Sequence, residues 1–196
     1  MGEKLLKVVY DCDDVLWDLN THVANLKGID PNCLVNFAML ENEALTMPER
    51  RAMLDGFRDA ASFVDIKFYE GASEILRAEE LGATVMINSN AYNAEIAELK
   101  RQQLTRLLPE MAPEKMRINV IDPDGACHKE IERDLFIFVD DSPFNITLSE
   151  AKINIMPTRL WNVTPKAKEI VREKNVIWID DLTKINQFVH ETLAKM

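Results

Sequence analysis

The sequence predicts an α/β fold in which a mainly parallel sheet lies between two layers of helices, and two observations support this. Apolar runs of strand length alternate along the 196 residues with stretches of helical periodicity, which is the pattern of β-α-β units. Two of these runs end directly in pairs of acidic residues, beginning at Asp11 and at Asp140. Open parallel sheets bind their ligands at the carboxyl ends of the strands. We therefore expect these acids to meet at one edge of the sheet.

Six strands and six core helices account for most of the chain. The predicted strands are Leu5–Tyr10, Thr84–Ile87, Arg117–Val120, Leu135–Val139, Ile153–Met156 and Val176–Ile179. The predicted helices are Gly71–Glu80, Asn93–Leu107, His128–Arg133, Ile146–Lys152, Pro165–Glu173 and Leu182–Lys195. Most gaps between strands suit one helix, as parallel pairing requires.

The stretch between the first two strands, residues 17–68, is too long for a single crossover. Its content is helical, and Thr46 with Glu49 forms the capping-box pattern that starts a helix. The predicted helices here are Asp18–Lys27, Cys33–Leu45 and Met47 to about Ala61. We predict that residues 17–68 form a small helical cap, inserted into a core made of residues 1–16 and 69–196.

Composition limits the kinds of molecule that we expect this protein to bind. With 47% apolar and 29% charged residues the chain is typical of a soluble globular protein, and its net charge of −10 argues against nucleic acid or an anionic membrane. Cys12, Cys33 and Cys127 lack C-x-x-C spacing, so we expect reduced thiols and a cytoplasmic protein. A small phosphorylated substrate stays compatible with this charge if a metal and a lysine reverse the local field. A homodimer is left open.

The first acid pair, Asp11 and Asp13, directly follows an apolar strand. Asp11 is suited to attack phosphorus as a carboxylate nucleophile, giving an acyl-phosphate that water then hydrolyses. Asp13 is suited to protonate the leaving oxygen and later to take a proton from that water. For this segment alone, an acidic turn without any chemistry is the alternative.

The second acid pair, Asp140 and Asp141, follows the five apolar residues 135–139. Mg²⁺ takes few protein carboxylates and keeps several waters, so Asp11 together with Asp140 would suit it. Several acids crowded at one edge would repel one another without a cation. Two such junctions in one chain therefore indicate a metal site, with Mg²⁺ as the cofactor.

Two further segments suit a phosphate group. Ser89 and Asn90 follow a predicted strand and precede a helix, where a hydroxyl and backbone N–H groups can bind a phosphate oxygen. Lys129 opens a predicted helix and could neutralise charge that develops on the phosphoryl group. The alternatives are ordinary turn residues for the first segment and a surface lysine for the second.

These four pieces, in this order, resemble the motifs of the haloacid dehalogenase superfamily, and the resemblance covers the chain from Lys4 to its last helix. It implies a Rossmann-like core, Mg²⁺, Asp11 as nucleophile and Asp13 as acid and base. It further implies Asp140 as a direct metal ligand, with Asp141 in support and Asp13 contributing its main-chain carbonyl. Asn88 is an alternative to Ser89 as the second-motif residue. An acid at position 13 is similar to the phosphatase branch.

Chain length and a compact cap are similar to the 5′(3′)-deoxyribonucleotidases, which implies a nucleoside or deoxynucleoside monophosphate as substrate. Aromatic residues in and near the cap are candidates for stacking on a base, against the alternative that they pack in the core. They are Trp17, Phe37, Phe57, Phe63 and Tyr92. Another small phosphate, such as a sugar phosphate, is the alternative substrate, and a non-catalytic protein that binds phosphate or a partner is the alternative class.

Overall fold

The computed structural model describes residues 6–121, 129–131 and 133–196. Its strands are β1 Leu6–Tyr10, β2 Ala83–Ala91, β3 Met116–Val120, β4 Ile137–Val139, β5 Ile153–Pro157 and β6 Val176–Ile179. All pair in parallel in one sheet, in the order β3-β2-β1-β4-β5-β6. The predicted Rossmann-like α/β class is confirmed.

Helices flank this sheet. The α-helices are α1 Leu19–Leu26, α2 Met47–Arg58, α3 Ala94–Leu107, α4 Pro143–Leu148, α5 Pro165–Ile170 and α6 Leu182–Leu193. The 3₁₀ segments are Pro31–Cys33, Met39–Glu41, Ala60–Phe63, Ala72–Leu81 and Pro113–Lys115. Within the described ranges, no helix combines the length and apolar character needed to cross a membrane.

The sheet is buried on both faces, as alternate side chains of β1 show. Val8 and Tyr10 belong to the larger apolar core, which also contains buried residues of α3 and α6. Val9 points to the opposite face and belongs to a smaller cluster with Phe138 of β4 and Ile146 of α4. Because side chains alternate along a strand, an apolar run is what a strand covered on both faces requires.

The predicted helix Cys33–Leu45 is wrong, because only a 3₁₀ turn, Met39–Glu41, forms within it. Asparagine side chains take over the backbone groups that a helix would have used. Asn36 Oδ1 accepts from the N–H of Ala38 at 2.9 Å, and Asn42 Nδ2 donates to the carbonyl of Cys33 at 2.9 Å. Such local bonds compete with helix formation.

Smaller differences concern element bounds and type. Strand β2 extends through Ser89 and Asn90, the segment 72–81 is a 3₁₀ helix rather than an α-helix, and α4 begins at Pro143 instead of Ile146. Pro143 fits the first turn of a helix because its missing N–H has no partner there. Of the predicted helix at residues 128–133, the described residues 129–131 are not helical, and His128 lies outside the described residues.

The two ends of the predicted cap lie next to each other. The N–H of Asp18 donates to the carbonyl of Lys67 at 3.3 Å, and the N–H of Tyr69 donates to that of Leu16 at 2.9 Å. An inserted segment needs such adjacent ends, although the division into core and cap stays a prediction. Cys12 and Cys33 are free thiols, and Cys127 lies outside the described residues.

Helices α1 and α2 cross closely at Gly56, and this contact gives a test of the packing. A Cβ at Gly56 would lie 2.5 Å from Cγ1 of Val23 and 3.0 Å from Cε of Lys27. Alanine normally stabilises a helix interior by about 1 kcal/mol relative to glycine, but overpacking costs about 1–3 kcal/mol. Since Val23 is stiff at χ1, we expect Gly56→Ala to lower the free energy of unfolding in urea by about 1 kcal/mol.

The double variant Val23→Ala/Gly56→Ala is the control, because it removes the methyl group that the new Cβ would meet. Its loss of stability should be smaller than the sum of the two single losses. A Gly56→Ala protein more stable than the wild type would contradict the close crossing.

Candidate active site

Strands β1 and β4 place two acids side by side at the carboxyl edge of the sheet. The N–H of Asp11 donates to the carbonyl of Val139 at 2.9 Å, and the N–H of Asp140 donates to that of Ile155 at 3.1 Å. Both acids therefore continue the hydrogen-bond ladder beyond the last strand residues. Both are buried, so their charges need compensation from within the protein.

Lys129 supplies part of that compensation. Its ammonium nitrogen lies 2.9 Å from Oδ1 of Asp11 and 2.6 Å from Oδ2 of Asp140. Burial alone would lower the pKa of Lys129, but the charges of Asp11 and Asp140 raise it above its ordinary value. Lys129 is therefore a fixed cation between the first and last acid pairs, and the structure brings it to the site as predicted.

The last acid pair is held by polar contacts. Asp140 accepts from the N–H of Ser142 at 2.9 Å and from Nδ2 of Asn145, which lies 3.0 Å from each of its oxygens. Asp141 accepts from Nε1 of Trp161 at 3.0 Å. Burial raises the pKa of Asp140 to about 6, against the charge of Lys129. Burial and then the charge of Asp140 raise the pKa of Asp141 to about 8.

Asp11, Asp140 and Asp141 fit a hard cation. Each can offer one carboxylate oxygen so that the three oxygens lie within 4.8 Å of one another, and Mg²⁺ prefers such oxygen ligands. Among the described residues, no donor makes a well-aligned hydrogen bond to the buried Oδ1 of Asp11, although Lys129 lies nearby. The predicted metal residues therefore converge, except for the side chain of Asp13.

The carboxylate of Asp13 forms an ion pair with a different lysine, Lys100. Its Oδ2 lies 2.6 Å from Nζ of Lys100, and its Oδ1 accepts from Nε1 of Trp17 at 2.8 Å. Burial raises the pKa of Asp13, while the charge of Lys100 opposes that rise. The side chain of Asp13 is thus separate from the cluster of Asp11, Asp140 and Asp141, which leaves its main-chain carbonyl as its predicted contribution to a metal site.

Asp14 gives the loop after β1 its shape. Its φ of +57° is unusual for a residue with a side chain, and two contacts hold it there. Nε and Nη2 of Arg159 donate to its carbonyl at 3.0 and 2.8 Å, and its carboxylate accepts from Nδ2 of Asn20 at 2.6 Å. Burial, and then the neighbouring charge of Asp141, raises the pKa of Asp14 well above its ordinary value.

Ser89 and Asn90 lie within the last residues of β2, which ends at Ala91, four residues after the predicted end at Ile87. Ser89 is fully buried, and its Oγ accepts from Nζ of Lys100 at 3.3 Å. The carbonyl of Asn90 accepts from the same nitrogen at 2.6 Å. Asn88, the alternative second-motif residue, donates to the carbonyl of Glu130 at 2.8 Å.

A cavity of about 340 Å³ opens above these groups. Its charged lining consists of the carboxylates of Asp11, Asp13, Asp14 and Asp141 and the ammonium groups of Lys100 and Lys129. Its aromatic lining consists of Phe37, Phe57, Phe63, Tyr92, Phe144 and Trp161. Four of the five aromatic residues predicted as stacking candidates therefore reach the cavity.

Trp17 is the exception among the predicted substrate-binding residues. Its ring is fully buried, and it packs edge-on against Phe68 with a centroid distance of 5.6 Å. It does not line the cavity, so the structure gives it the role of a donor to Asp13 instead of a stacking surface.

Trp161 joins the acid cluster to the segment before α2. Its indole donates to Asp141, and its carbonyl accepts from the N–H of Phe37 at 3.1 Å. The ring of Phe37 also contacts that of Phe144 edge-on, with centroids 5.1 Å apart. One wall of the cavity is therefore fastened to the loop that follows β5.

Sequence reasoning missed Lys100, Arg159 and Trp161, and also Asn20 and Phe144. Lys100 lies beside Arg101 in α3, and this sequence context is typical of a solvent-exposed helix position. The only signal that could have found it was its place on the helix that follows Asn90. Arg159 and Trp161 act through loop carbonyls and an acid far away in sequence, and no local pattern marks such contacts.

The order of the parallel sheet, with acids following its two central strands, defines a Rossmann-like fold of the haloacid dehalogenase type. A haloacid dehalogenase-like family hydrolase from Xanthomonas campestris matches with a TM-score of 0.53 and 14% identity over 100% of both chains. A haloacid dehalogenase-like family protein from Streptococcus pneumoniae has a TM-score of 0.54 and 12% identity, over 94% of this chain and 99% of that one.

A provisionally assigned β-phosphoglucomutase from Bacteroides vulgatus also matches, with a TM-score of 0.52 and 12% identity over 98% of this chain and 91% of that one. Likeness at such low identity establishes the fold. No protein-family model and no curated protein matches the sequence.

The raised pKa values predict how stability depends on pH when metal is removed. A group whose pKa is higher in the folded state binds its proton more tightly there, so stability is lost as the pH rises. For Asp141 the window runs from its ordinary 3.8 to about 8. In chelator, we expect the free energy of unfolding to fall across this window, and Mg²⁺ should reduce the fall.

The variant Asp141→Asn tests the cause. Because it removes the acid with the higher pKa of Asp140 and Asp141, its free energy of unfolding in urea and chelator should vary less between pH 5 and pH 8 than that of the wild type. Asp180→Asn, at a fully exposed acid, is the matched control and should leave the slope unchanged. A wild-type stability that rises over this window would refute the interpretation.

Proposed function

We propose that this protein is a Mg²⁺-dependent phosphomonoester hydrolase that works through an aspartyl-phosphate on Asp11. The observation that carries the proposal is the arrangement around that residue. Asp11 lies with Asp140 and Asp141 in one cluster, contacts the fixed cation of Lys129, and is followed two residues later by a carboxylate held apart from the cluster. A nucleophile, a cation and a separate acid are what this reaction needs.

In the first step, an oxygen of Asp11 attacks phosphorus and the bond from phosphorus to the ester oxygen breaks. Asp13 gives its proton to the departing oxygen, so the product leaves as a neutral alcohol. Lys129 stabilises the negative charge on the phosphoryl oxygens without having to move, because Asp11 and Asp140 already fix its position.

In the second step, Asp13 takes a proton from water as that water attacks the acyl-phosphate. The new oxygen–phosphorus bond forms, the bond from phosphorus to Asp11 breaks, and phosphate leaves. Both carboxylates then return to their starting states. When bound by Asp11, Asp140 and Asp141, Mg²⁺ would neutralise charge on the phosphoryl group.

A nucleoside or deoxynucleoside monophosphate is the substrate we propose. The six aromatic side chains of the cavity lining support it, since aromatic rings stack on bases. The charged lining also supports a monophosphate, because four carboxylates stand against two ammonium groups among the described residues. The similarity in chain length and compact cap to the 5′(3′)-deoxyribonucleotidases points the same way. A sugar phosphate would contact the polar part of the lining, but it has no base to stack on the aromatic rings.

Trapping of the phosphoenzyme tests the roles of the two acids. Asp11→Asn should form no acyl-phosphate from any substrate, because the nucleophile is lost. Asp13→Asn should still attack 4-nitrophenyl phosphate, whose leaving group needs little protonation, and should then accumulate the acyl-phosphate because no base activates water. Acid-quenched labelling with phosphorus-labelled substrate measures both. Label retained by Asp11→Asn and absent from Asp13→Asn would reverse the assignment.

The aromatic lining predicts which substitutions change substrate preference. Phe57→Leu should remove stacking worth about 1 kcal/mol, and so lower kcat/KM for nucleoside monophosphates roughly fivefold. The rate on acetyl phosphate, which has no ring to stack, should hardly change.

Phe188→Leu is the matched control, since Phe188 packs on the same core from α6 but does not line the cavity. It should affect stability and leave the preference unchanged. Equal losses on both substrates in Phe57→Leu would mean that Phe57 only packs, and support for base stacking would be lost.

A further inference from the structure

Lys100 is a buried cation that the proposed reaction does not yet use. It lies in α3 with only 1% of its side chain exposed, and lysine is almost never so buried unless it is paired. Its ammonium nitrogen lies over the rings of Trp17 and Phe63, 5.9 and 5.4 Å from their centroids. A charge in such a place must be held by specific acceptors.

Three acceptors surround its ammonium nitrogen. Oδ2 of Asp13 and the carbonyl of Asn90 each lie at 2.6 Å, and Oγ of Ser89 lies at 3.3 Å. An ammonium group has three N–H donors, so each donor has one acceptor. With these described groups as partners, all three donors are engaged by the protein, which favours a role for Lys100 toward protein groups over one toward the substrate.

Lys100 holds one oxygen of Asp13 while Trp17 holds the other. The indole N–H donates to Oδ1 at 2.8 Å, from the turn that follows β1. Two donors from different parts of the fold thus fix both the position and the plane of this carboxylate. The contacts to Ser89 and Asn90 also tie the carboxylate to the end of β2.

The two buried lysines serve different acids. Lys129 contacts Asp11 and Asp140, on the side of β1 where β4 lies. Lys100 contacts Asp13, on the side where β2 lies. Residues only two apart in sequence are therefore drawn in opposite directions along the sheet edge. This keeps a nucleophile and a proton donor from sharing one cation.

We propose that Lys100 is a positioning residue that holds the carboxylate of Asp13 where the leaving-group oxygen departs. This inference rests on the proposed phosphohydrolase activity. Loss of the clamp should harm proton delivery to the leaving group more than attack by Asp11, whose own cation is Lys129.

The leaving-group dependence of turnover tests this assignment. Lys100→Met keeps the volume and removes the charge, and should lower kcat on an alkyl phosphate about a hundredfold, a typical general-acid contribution. On 4-nitrophenyl phosphate the loss should be below about tenfold, since that oxygen needs little protonation. Lys129→Met should lower both rates alike. Lys115→Met, which breaks a lysine–glutamate pair of the same length outside the cavity, should lower neither.

A double variant shows whether Lys100 acts through Asp13. Asp13→Asn/Lys100→Met should be no slower on the alkyl phosphate than Asp13→Asn alone. Additive losses, or equal losses of Lys100→Met on both substrates, would overturn the assignment. If Lys100→Met does not fold, Trp17→Phe removes the other donor and must give the same leaving-group selectivity, or the clamp is refuted.

A readout independent of turnover separates this inference from the proposed function. The indole N–H signal of Trp17 in a nitrogen–proton spectrum, assigned with Trp17→Phe, should shift in Lys100→Met and stay in place in Lys115→Met. An unmoved signal in Lys100→Met would overturn the clamp. A wild type that hydrolyses neither phosphate would refute the phosphohydrolase instead, whatever the spectrum shows.

Discussion

Among the residues that the structure describes, four carboxylates line the cavity, and a fifth, that of Asp140, is buried beside it. Bringing like charges together away from water is the constraint that the surrounding structure must satisfy. Two buried lysines of the described ranges supply compensating positive charge: Lys100 lies in α3, and Lys129 lies in the segment before β4. The charge that remains is what makes a divalent cation suited to the site.

The backbone meets the same constraint by separating the acids. Strand pairing fixes Asp11 and Asp140 next to each other, because their N–H groups continue the ladder of the sheet. The turn after β1 directs Asp13 away from these two acids and toward β2. In this turn Asp14 has a positive φ, and Arg159 donates two hydrogen bonds to its carbonyl. The different surroundings of two acids in one short segment follow from that turn, and different surroundings are how proteins give paired carboxylates different roles.

The sequence was informative where local pattern and long-range structure agree. An apolar run that ends in acids needs only the rule for parallel sheets to place Asp11 and Asp140 together. The predicted helix Cys33–Leu45 does not form, because the side chains of Asn36 and Asn42 make local hydrogen bonds to the backbone instead. Lys100 was not predicted as a site residue, because whether a helix residue is buried depends on the side chains that pack over it. For Lys100 these are Trp17 and Phe63. Trp17 was placed on the substrate, but the structure turns its indole to Asp13.

Trp161 connects the wall of the cavity to the acid cluster. A single residue donates to Asp141 and accepts from Phe37, so a movement of Phe37 away from Trp161 would disturb the residue that holds Asp141. Thermodynamic reciprocity then applies: whatever factor a bound cation adds to the affinity for substrate, the substrate must add to the affinity for the cation. If the proposed function holds, the cation and the phosphorylated substrate would each strengthen the binding of the other within one small cavity.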